Sequence, residues 1–169
     1  MNDQIEKINI RSALSIDAAA IGRIYNHYVT QTFITFEEEE ISPAEINHRI
    51  HNVRSLSLPW LVAEIDGKVV GYVYANAWKG RYAYRFSTEI TAYVDPDHVG
   101  HGIGSKLYSR FLPSLVDSGV HVAIGGIALP NKASVGLHEK FGFIKTAHFR
   151  EVGYKFNRWI DVGYWQRIL

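Results

Sequence analysis

The chain has 169 residues, of which 47% are hydrophobic and 13% aromatic, and it carries a formal net charge of +1. No linker rich in Pro, Gly or Ser divides the sequence, so we expect a single domain over residues 1–169 with one substantial core. The scattered basic residues exclude a basic stripe for nucleic acid, and no apolar run reaches the ~18 residues that a membrane span needs.

Cysteine is absent from the sequence. Its absence excludes a thiol nucleophile, a disulfide and a cysteine-rich zinc site, and we expect no metal site. The first residues, Met1 to Gln4, lack the basic and apolar regions of a signal peptide. We therefore expect a cytoplasmic protein that has neither nucleic acid nor a membrane as a partner.

In chain order, the first half of the sequence predicts two helices and three strands. A strand over residues 7–11 precedes a helix whose apolar face carries Ile21, Ile24, Tyr25 and Tyr28. Ser42-Pro43-Ala44-Glu45 is a capping box with proline at the first helical position, which predicts the start of the second helix. Strands over 60–65 and 68–78 follow, and Asp66-Gly67 between them predicts a two-residue hairpin turn.

A glycine-rich turn follows the next predicted strand, which covers residues 85–94. Glycine occupies every second position of 100–104, and an amphipathic helix predicted over 102–116 begins inside this run. Glycine lets successive backbone N–H groups approach a diphosphate, and the helix dipole adds to the attraction. The spacing fits neither a nucleotide P-loop nor the GxGxxG dinucleotide motif, and a tight strand-to-helix connection is the simpler alternative.

The last part of the chain alternates between strand and helix. A strand-like run over 121–129 leads to a helix that opens near Asn131, and a final strand follows. The resulting order is β-α-α-β-β-β-α-β-α-β. This order predicts an α/β (α+β) fold with a mixed, mostly antiparallel twisted sheet flanked by helices.

The glycine turn and the segment Asn131–Phe143 together resemble the GNAT acyl-CoA N-acetyltransferases. In that family a pyrophosphate loop and an Asn-x-x-Ala/Ser-x-x-Leu-x-x-Lys-x-Gly-Phe helix occur in this order. The closer resemblance is to the phosphinothricin and methionine sulfoximine N-acetyltransferases, and it covers nearly the whole chain. It rests on Ile24-Tyr25-Asn26, Pro59-Trp60-Leu61-Val62-Ala63, Arg81-Tyr82-Ala83-Tyr84, Thr88-Glu89, Leu137-His138-Glu139-Lys140 and Val152-Gly153-Tyr154-Lys155-Phe156.

This resemblance implies a GNAT fold in which the strand carrying Glu89 and the strand ending at Leu129 splay apart around the thioester of acetyl-CoA. Because the chain has no cysteine to relay the acetyl group, we expect the acceptor amine to attack the thioester directly in a ternary complex. Val99 replaces the Arg or Gln that the family has before the loop, and we expect at most a modest loss of coenzyme affinity. The implied coenzyme contacts are Ala92, Tyr93, Val94, Gly100, His101, Gly102, Ile103, Gly104, Ser105 and Asn131.

Two residues are predicted to carry the catalysis. Strand alternation places Glu89 on one face with Thr91 and Tyr93, near the glycine turn, and the resemblance makes Glu89 the general base. The alternative is an exposed glutamate or one paired with an arginine. His138 stands where many GNAT enzymes carry the tyrosine that protonates the CoA thiolate, and the alternative is a structural histidine.

Acceptor recognition is predicted just upstream of Glu89. A small amino acid carries a carboxylate, for which Arg81 is the predicted bidentate partner, the alternative being a solvated loop arginine. The full predicted set of acceptor contacts is Lys79, Gly80, Arg81, Glu89, Ile90 and Thr91.

The chain also has more aromatic residues than a substrate needs. We expect most of one set to lie in the core and some at the interface of a homodimer, the state common in this branch. The set is Phe33, Phe36, Trp78, Tyr82, Tyr84, Tyr154, Phe156 and Trp159.

The sequence thus predicts an acetyl-CoA-dependent N-acetyltransferase that acts on the α-amino group of a small amino acid or analogue. Phosphinothricin and methionine sulfoximine are the suggested class of acceptor. Two alternatives stay open, namely acetylation of protein N-termini or polyamines, and a non-catalytic sensor that binds acyl-CoA. The presence of Glu89 weighs against the sensor.

Overall fold

A computed structural model describes residues 7–169 as a seven-stranded sheet with four α-helices. The sheet order is β1-β2-β3-β4-β5-β7-β6. The strands are β1 (Asn9–Ser12), β2 (Trp60–Ile65), β3 (Lys68–Ala77), β4 (Ser87–Val94), β5 (Val122–Leu129), β6 (Ile144–Lys155) and β7 (Arg158–Ile168). The helices are α1 (Ala18–Gln31), α2 (Pro43–Ser55), α3 (Ile103–Asp117) and α4 (Lys132–Lys140).

The local sequence signals act as predicted in the first half of the chain. Asp66 and Gly67 join β2 to β3 with φ angles of 48° and 77°, the positive values that a two-residue hairpin turn requires. Ser42 caps α2, because its hydroxyl accepts a hydrogen bond from the Glu45 N–H, and Pro43 follows at the first helical position.

Helices cover both faces of the sheet, as the predicted α/β architecture requires. On one face α3 packs an apolar stripe with residues one helical turn apart, namely Ile103, Leu107, Phe111 and Leu115. On the other face α1 and α2 bury Ile21, Ile24, Ile46 and Ile50. Alternation along β4 therefore decides the helix layer that each of its side chains faces: Ile90 faces α3, and Tyr93 faces α1.

The C-terminal part differs from the prediction of one final strand, because it forms two strands, β6 and β7. These strands pair as an antiparallel hairpin whose turn residues Phe156 and Asn157 have φ angles of 51° and 56°. Both angles are positive, as in the turn between β2 and β3. The Phe-Asn pair lacks the glycine that normally marks such a turn. The sequence analysis therefore did not predict a hairpin here.

One pair of strands separates partway along its length. The parallel strands β4 and β5 pair only from Ser87 opposite Val122 to Glu89 opposite Ile124, although β4 continues to Val94 and β5 to Leu129. Their other neighbours, β3 and β7, stay paired to the ends of both strands. The sheet therefore opens into a gap beyond Glu89, which confirms the splayed pair.

Candidate active site

The glycine turn lies between β4 and α3, at the open end of the gap. Gly100 and Gly102 have φ angles of 89° and 77°, a conformation that side chains other than glycine rarely adopt. A Cβ at either position would meet nothing within 4 Å, so the space in front of this turn is open. The first N–H groups of α3 lack intrahelical partners and lie beside this space. This geometry suits a diphosphate.

Gly104 serves a different purpose from the other two glycines. A Cβ at Gly104 would lie 3.1 Å from Cδ2 of Leu137, so this glycine allows α3 and α4 to pack closely. Lys140, at the end of α4, donates a hydrogen bond of 2.9 Å to Ser105 Oγ in the first turn of α3. The sequence analysis did not select Lys140, although its ammonium adds positive charge beside the glycine turn.

Asn131 caps the helix on the other side of the gap. Its Oδ1 accepts a hydrogen bond of 3.1 Å from the Ser134 N–H, so the helix predicted to open near Asn131 does begin there, with Asn131 as its cap. The contact between Asn131 and the coenzyme stays a prediction.

A cavity of about 770 Å³ opens on the α1 face of the gap. Glu89, Thr91 and Tyr93 form its wall on β4, which confirms that these three side chains share a face. The β5 wall contains Ile124, Gly126 and Ala128. Aromatic side chains from other parts of the chain complete the cavity, namely Tyr25, Phe36, Tyr74, Trp78, Phe149 and Tyr164.

Glu89 is half-buried at the point where β4 and β5 separate. Burial raises the pKa of its carboxyl group, and the charge of Lys79 opposes that rise. A Cβ at Gly126 would lie 3.0 Å from Glu89 Oε1, so the glycine in β5 leaves room for the carboxylate. Among residues 7–169 no arginine forms an ion pair with Glu89. A partly desolvated carboxylate in a cavity is suited to accept a proton.

The tyrosines around Glu89 stay protonated at neutral pH. Burial raises the pKa of Tyr25 to about 12 and also raises the pKa values of Tyr74 and Tyr93. The Tyr25 hydroxyl lies 2.7 Å from Thr35 Oγ1, and both residues line the cavity. These hydroxyl groups can therefore bind an acceptor through hydrogen bonds. Because they are protonated, they do not compete with Glu89 for the ammonium proton of the acceptor.

The predicted acceptor residues separate into two groups. Lys79 and Thr91 line the cavity with Glu89, whereas Gly80 and Arg81 do not. Lys79, Gly80 and Arg81 are all exposed, so Lys79 lies at the rim of the cavity. Ile90 is only 3% exposed and packs in the core beneath α3, so its side chain is unavailable to an acceptor. The side chains of Ala92 and Val94 pack towards the same core, and the Val94 carbonyl oxygen accepts a hydrogen bond of 2.6 Å from the Tyr28 hydroxyl. The contacts of both residues with the coenzyme stay predictions.

His138 lies on the opposite face of β5 from Glu89. A Cβ at Gly125 would overlap its ring, whereas a Cβ at the next residue would approach Glu89. Its Nδ1 lies 2.8 Å from the Ser134 carbonyl oxygen, and its Nε2 lies 3.1 Å from the Tyr108 hydroxyl.

This environment bears on the proton-donor role predicted for His138. Burial lowers the pKa of His138, which favours the neutral ring. Since the carbonyl can only accept, Nδ1 carries the proton and Nε2 accepts from Tyr108. The proton-donor role stays a prediction, and these contacts favour the structural alternative.

The expectation that most of the aromatic set lies in the core is wrong. Trp78 and Phe36 line the cavity, and none of the eight belongs to the buried core. Those at least 40% exposed are Phe36, Tyr82, Tyr84, Tyr154, Phe156 and Trp159. The sequence analysis also missed Thr35, Phe149 and Tyr164 as cavity residues, because only tertiary contacts bring them there.

No α-helix within residues 7–169 has the length and apolar character needed to cross a membrane. The same part of the chain has no cluster of three or more His, Cys, Asp or Glu residues able to hold a metal ion.

Comparison with known proteins gives a consistent result. Residues 10–163 match the family model of the acetyltransferase (GNAT) domain. The chain is 39% identical over 167 residues to a phosphinothricin N-acetyltransferase of Streptomyces viridochromogenes, covering 99% of this chain and 91% of that protein. It is 39% identical over 162 residues to an L-amino acid N-acyltransferase of Escherichia coli, covering 94% of this chain and 92% of that protein.

A solved structure is similar over most of the chain. It is a phosphinothricin acetyltransferase from Sinorhizobium meliloti in complex with acetyl-CoA, 33% identical with a TM-score of 0.92. The match covers 96% of this chain and 88% of that chain.

Proposed function

The chain belongs to the GNAT acetyltransferases and is an acetyl-CoA-dependent N-acetyltransferase, and from this premise we propose that its acceptor is the α-amino group of a small amino acid or a close analogue. The observation that carries the proposal is the position of Glu89. Its carboxylate lies where the gap between β4 and β5 meets the aromatic cavity. An amine in this cavity would therefore have a proton acceptor beside the place where the strands separate.

We propose that acetyl-CoA binds from the α3 face of the gap and the acceptor from the α1 face. The glycine turn and the first turn of α3 hold the diphosphate, with Gly100, His101, Gly102, Ile103, Gly104 and Ser105 as the binding segment. The proposed pantetheine contacts on β4 are the Ala92 backbone groups and the Val94 N–H, because Tyr93 pairs with β3 and the Val94 carbonyl oxygen accepts a hydrogen bond from the Tyr28 hydroxyl. Asn131, the N-cap of α4, is the further proposed contact. The thioester then lies in the gap.

The reaction follows from this arrangement. The acceptor enters as an ammonium ion and transfers a proton to the Glu89 carboxylate, directly or through a water molecule. The neutral nitrogen attacks the thioester carbonyl carbon, the carbon–sulfur bond breaks, and the thiolate leaves. The attacking nitrogen loses its second proton to give the amide, and the thiolate takes up one proton to give the free thiol, so these two transfers balance. The chain supplies two effects, which are proton acceptance by Glu89 and the holding of both substrates at short range.

Lys79 is the proposed partner of the acceptor carboxylate. Of the two cations predicted to contact the acceptor, Lys79 is the one that lines the cavity. Its positive charge lowers the pKa of Glu89, which opposes the effect of burial. An α-amino acid can therefore present its carboxylate to Lys79 and its ammonium group to Glu89. A polyamine has no group for Lys79, which favours the amino acid over the polyamine alternative.

We also propose a homodimer. Exposed aromatic side chains cluster on the β6–β7 hairpin, where Tyr154 and Trp159 lie 4.7 Å apart between ring centroids and Phe156 occupies the turn. A second copy of this chain would remove these rings from water.

An acceptor panel tests the proposed function. Thiol release from acetyl-CoA is measured with proteinogenic amino acids, methionine sulfoximine, phosphinothricin, spermidine and a short peptide with a free N-terminus. We expect turnover with one or more of the amino acids or analogues, and an N-acetylated product by mass spectrometry. Faster turnover of spermidine or the peptide would overturn the proposed acceptor class, and thiol release with none of the amines would support the sensor.

A further inference from the structure

Lys155 on β6 is a lysine in an unusual position, because its side chain is only 2% exposed. Its Nζ donates hydrogen bonds of 2.6 Å to the Val29 carbonyl oxygen and 2.8 Å to the Thr35 carbonyl oxygen. Among the described residues no carboxylate lies within 4.0 Å to pair with it. Burying an ammonium group costs free energy unless it is well bound, so these two carbonyl groups have a structural purpose.

The two acceptors belong to different parts of the chain. Val29 lies in the last turn of α1, where helix carbonyl groups lack intrahelical partners and the helix dipole favours a cation. Thr35 belongs to the α1–α2 loop, defined here as residues 32–42. One ammonium group on β6 therefore holds both the end of α1 and the loop that follows it.

Two further contacts join the β6–β7 hairpin to the α1–α2 loop. The Phe36 ring packs so closely on Gly153 that a Cβ at that glycine would overlap it. The Arg158 guanidinium carbon lies 4.0 Å from the centroid of the Phe33 ring. The loop is thus held at three points by one hairpin.

The held part of the loop is a wall of the acceptor cavity. Thr35 and Phe36 line the cavity that contains Glu89. Thr35 also contacts Tyr25 through the 2.7 Å hydroxyl pair, and the Tyr25 ring packs edge-on against Tyr93 at 5.1 Å between centroids. A displacement of the loop would therefore move the wall that faces the acceptor. Among the described residues no hydrogen bond joins the loop to the glycine turn at α3.

We propose that Lys155 is a positioning residue for the acceptor: by binding the Val29 and Thr35 carbonyl groups it fixes the wall formed by Thr35 and Phe36, and so sets acceptor affinity without touching either substrate. This inference rests on the proposed function in one respect, which is that the cavity holds the acceptor.

The test compares Lys155→Met, which keeps the length of the side chain and removes its donors, with Lys155→Arg, which keeps charge and donors. For Lys155→Met we expect the KM of the acceptor to rise by roughly tenfold or more, since two hydrogen bonds from a charged group are lost. The kcat should stay within about threefold and the acetyl-CoA Kd should not change, because chemistry and coenzyme binding use other residues. Lys155→Arg should recover part of the acceptor affinity.

A second measurement does not depend on any acceptor. Hydrogen exchange of the loop amides 33–38 should be faster in Lys155→Met than in the wild type, and unchanged in the exposed control Lys68→Met. If the wild type acetylates none of the amino acids tested, the proposed function fails, while this exchange experiment still decides whether Lys155 fixes the loop.

Three results would overturn the proposal: unchanged loop exchange in Lys155→Met, a fall in kcat at constant KM, or a weakened acetyl-CoA Kd. If Lys155→Met does not fold, Gly153→Ala displaces Phe36 while leaving Lys155 in place. It should raise the KM of the acceptor at constant acetyl-CoA Kd, and an unchanged KM would contradict the role of the wall.

Discussion

At the scale of single residues, Lys79 and Arg81 differ in their position relative to the cavity, although they are only two residues apart in the sequence. Lys79 lines the cavity beside Glu89, and its ammonium lies 5.1 Å from the centroid of the Trp78 ring. Arg81 is exposed and begins the short turn Tyr82–Tyr84 outside the cavity. The sequence pointed to this segment because a cation near Glu89 suits a carboxylate. Sequence spacing alone could not show which of the two cations lines the cavity.

We predict that Lys79→Met raises the KM of a carboxylate-bearing acceptor by about five- to tenfold, a modest loss because Lys79 is partly screened by water. The loss should nearly vanish for the methyl ester of the same acceptor. Because Lys79 lowers the pKa of Glu89, its removal should also move the acidic limb of the kcat/KM profile to higher pH. Steady-state kinetics with acid and ester from pH 5 to 9 provide both readouts.

Arg81→Met is the matched control for this prediction. It removes one positive charge from the same segment, and the KM should stay within about twofold of the wild type. A large KM increase for Arg81→Met, with none for Lys79→Met, would assign the carboxylate to Arg81 instead.

At the scale of elements, the reliable sequence signals were local ones. The stripe Ile103, Leu107 and Phe111 predicted α3 to within one residue at each end, since helical periodicity is a property of neighbouring residues. Asp66-Gly67 predicted the β2–β3 turn for the same reason. The β6–β7 hairpin was missed because Phe156-Asn157 adopts positive φ angles without a glycine, so the local sequence lacked the usual turn signal.

The glycine turn can be tested with an internal control, because α3 has a comparable glycine at each end. Gly102 begins the helix and Gly119 follows it, and both have a φ of 77° with no atom within 4 Å of the position that a Cβ would occupy. We predict that Gly102→Val weakens acetyl-CoA binding by about tenfold or more, because a branched side chain would block the backbone from the diphosphate. Isothermal titration calorimetry measures the Kd.

Gly119→Val imposes a similar backbone strain at the opposite end of α3. Thermal unfolding should show that both variants lose stability, by about 1 to 2 kcal/mol each, while only Gly102→Val loses acetyl-CoA affinity. Equal coenzyme affinities in the two variants would rule out the glycine turn as the diphosphate site.

At the scale of the whole molecule, the split between β4 and β5 joins the two proposed substrate sites, which lie on opposite faces of the sheet. Gly125 faces His138 on the α4 side, and Gly126 faces Glu89 on the cavity side. The glycine turn of the proposed coenzyme site was visible in the sequence, since its glycines stand within residues 100–104. Of the predicted acceptor residues, Glu89, Thr91 and Lys79 line the cavity. Its other walls come from α1, the α1–α2 loop and the C-terminal hairpin, which only the folded sheet brings together.

The central claim is that Glu89 accepts the proton of the acceptor at the point where the strands separate, and turnover of Glu89→Gln tests it most directly. Gln keeps the shape of the side chain but cannot accept the proton. We predict that kcat falls by about 10²- to 10⁴-fold, while the acetyl-CoA Kd stays near the wild-type value.

The pH dependence of kcat/KM completes the same measurement. Burial raises the pKa of Glu89, so wild-type activity should increase with pH as this carboxyl group loses its proton, and that acidic limb should disappear in Glu89→Gln. Glu40→Gln, at an exposed loop position, should behave as the wild type. Turnover of Glu89→Gln at the wild-type rate from pH 6 to 9 would contradict the account, because Glu89 would then be a structural residue.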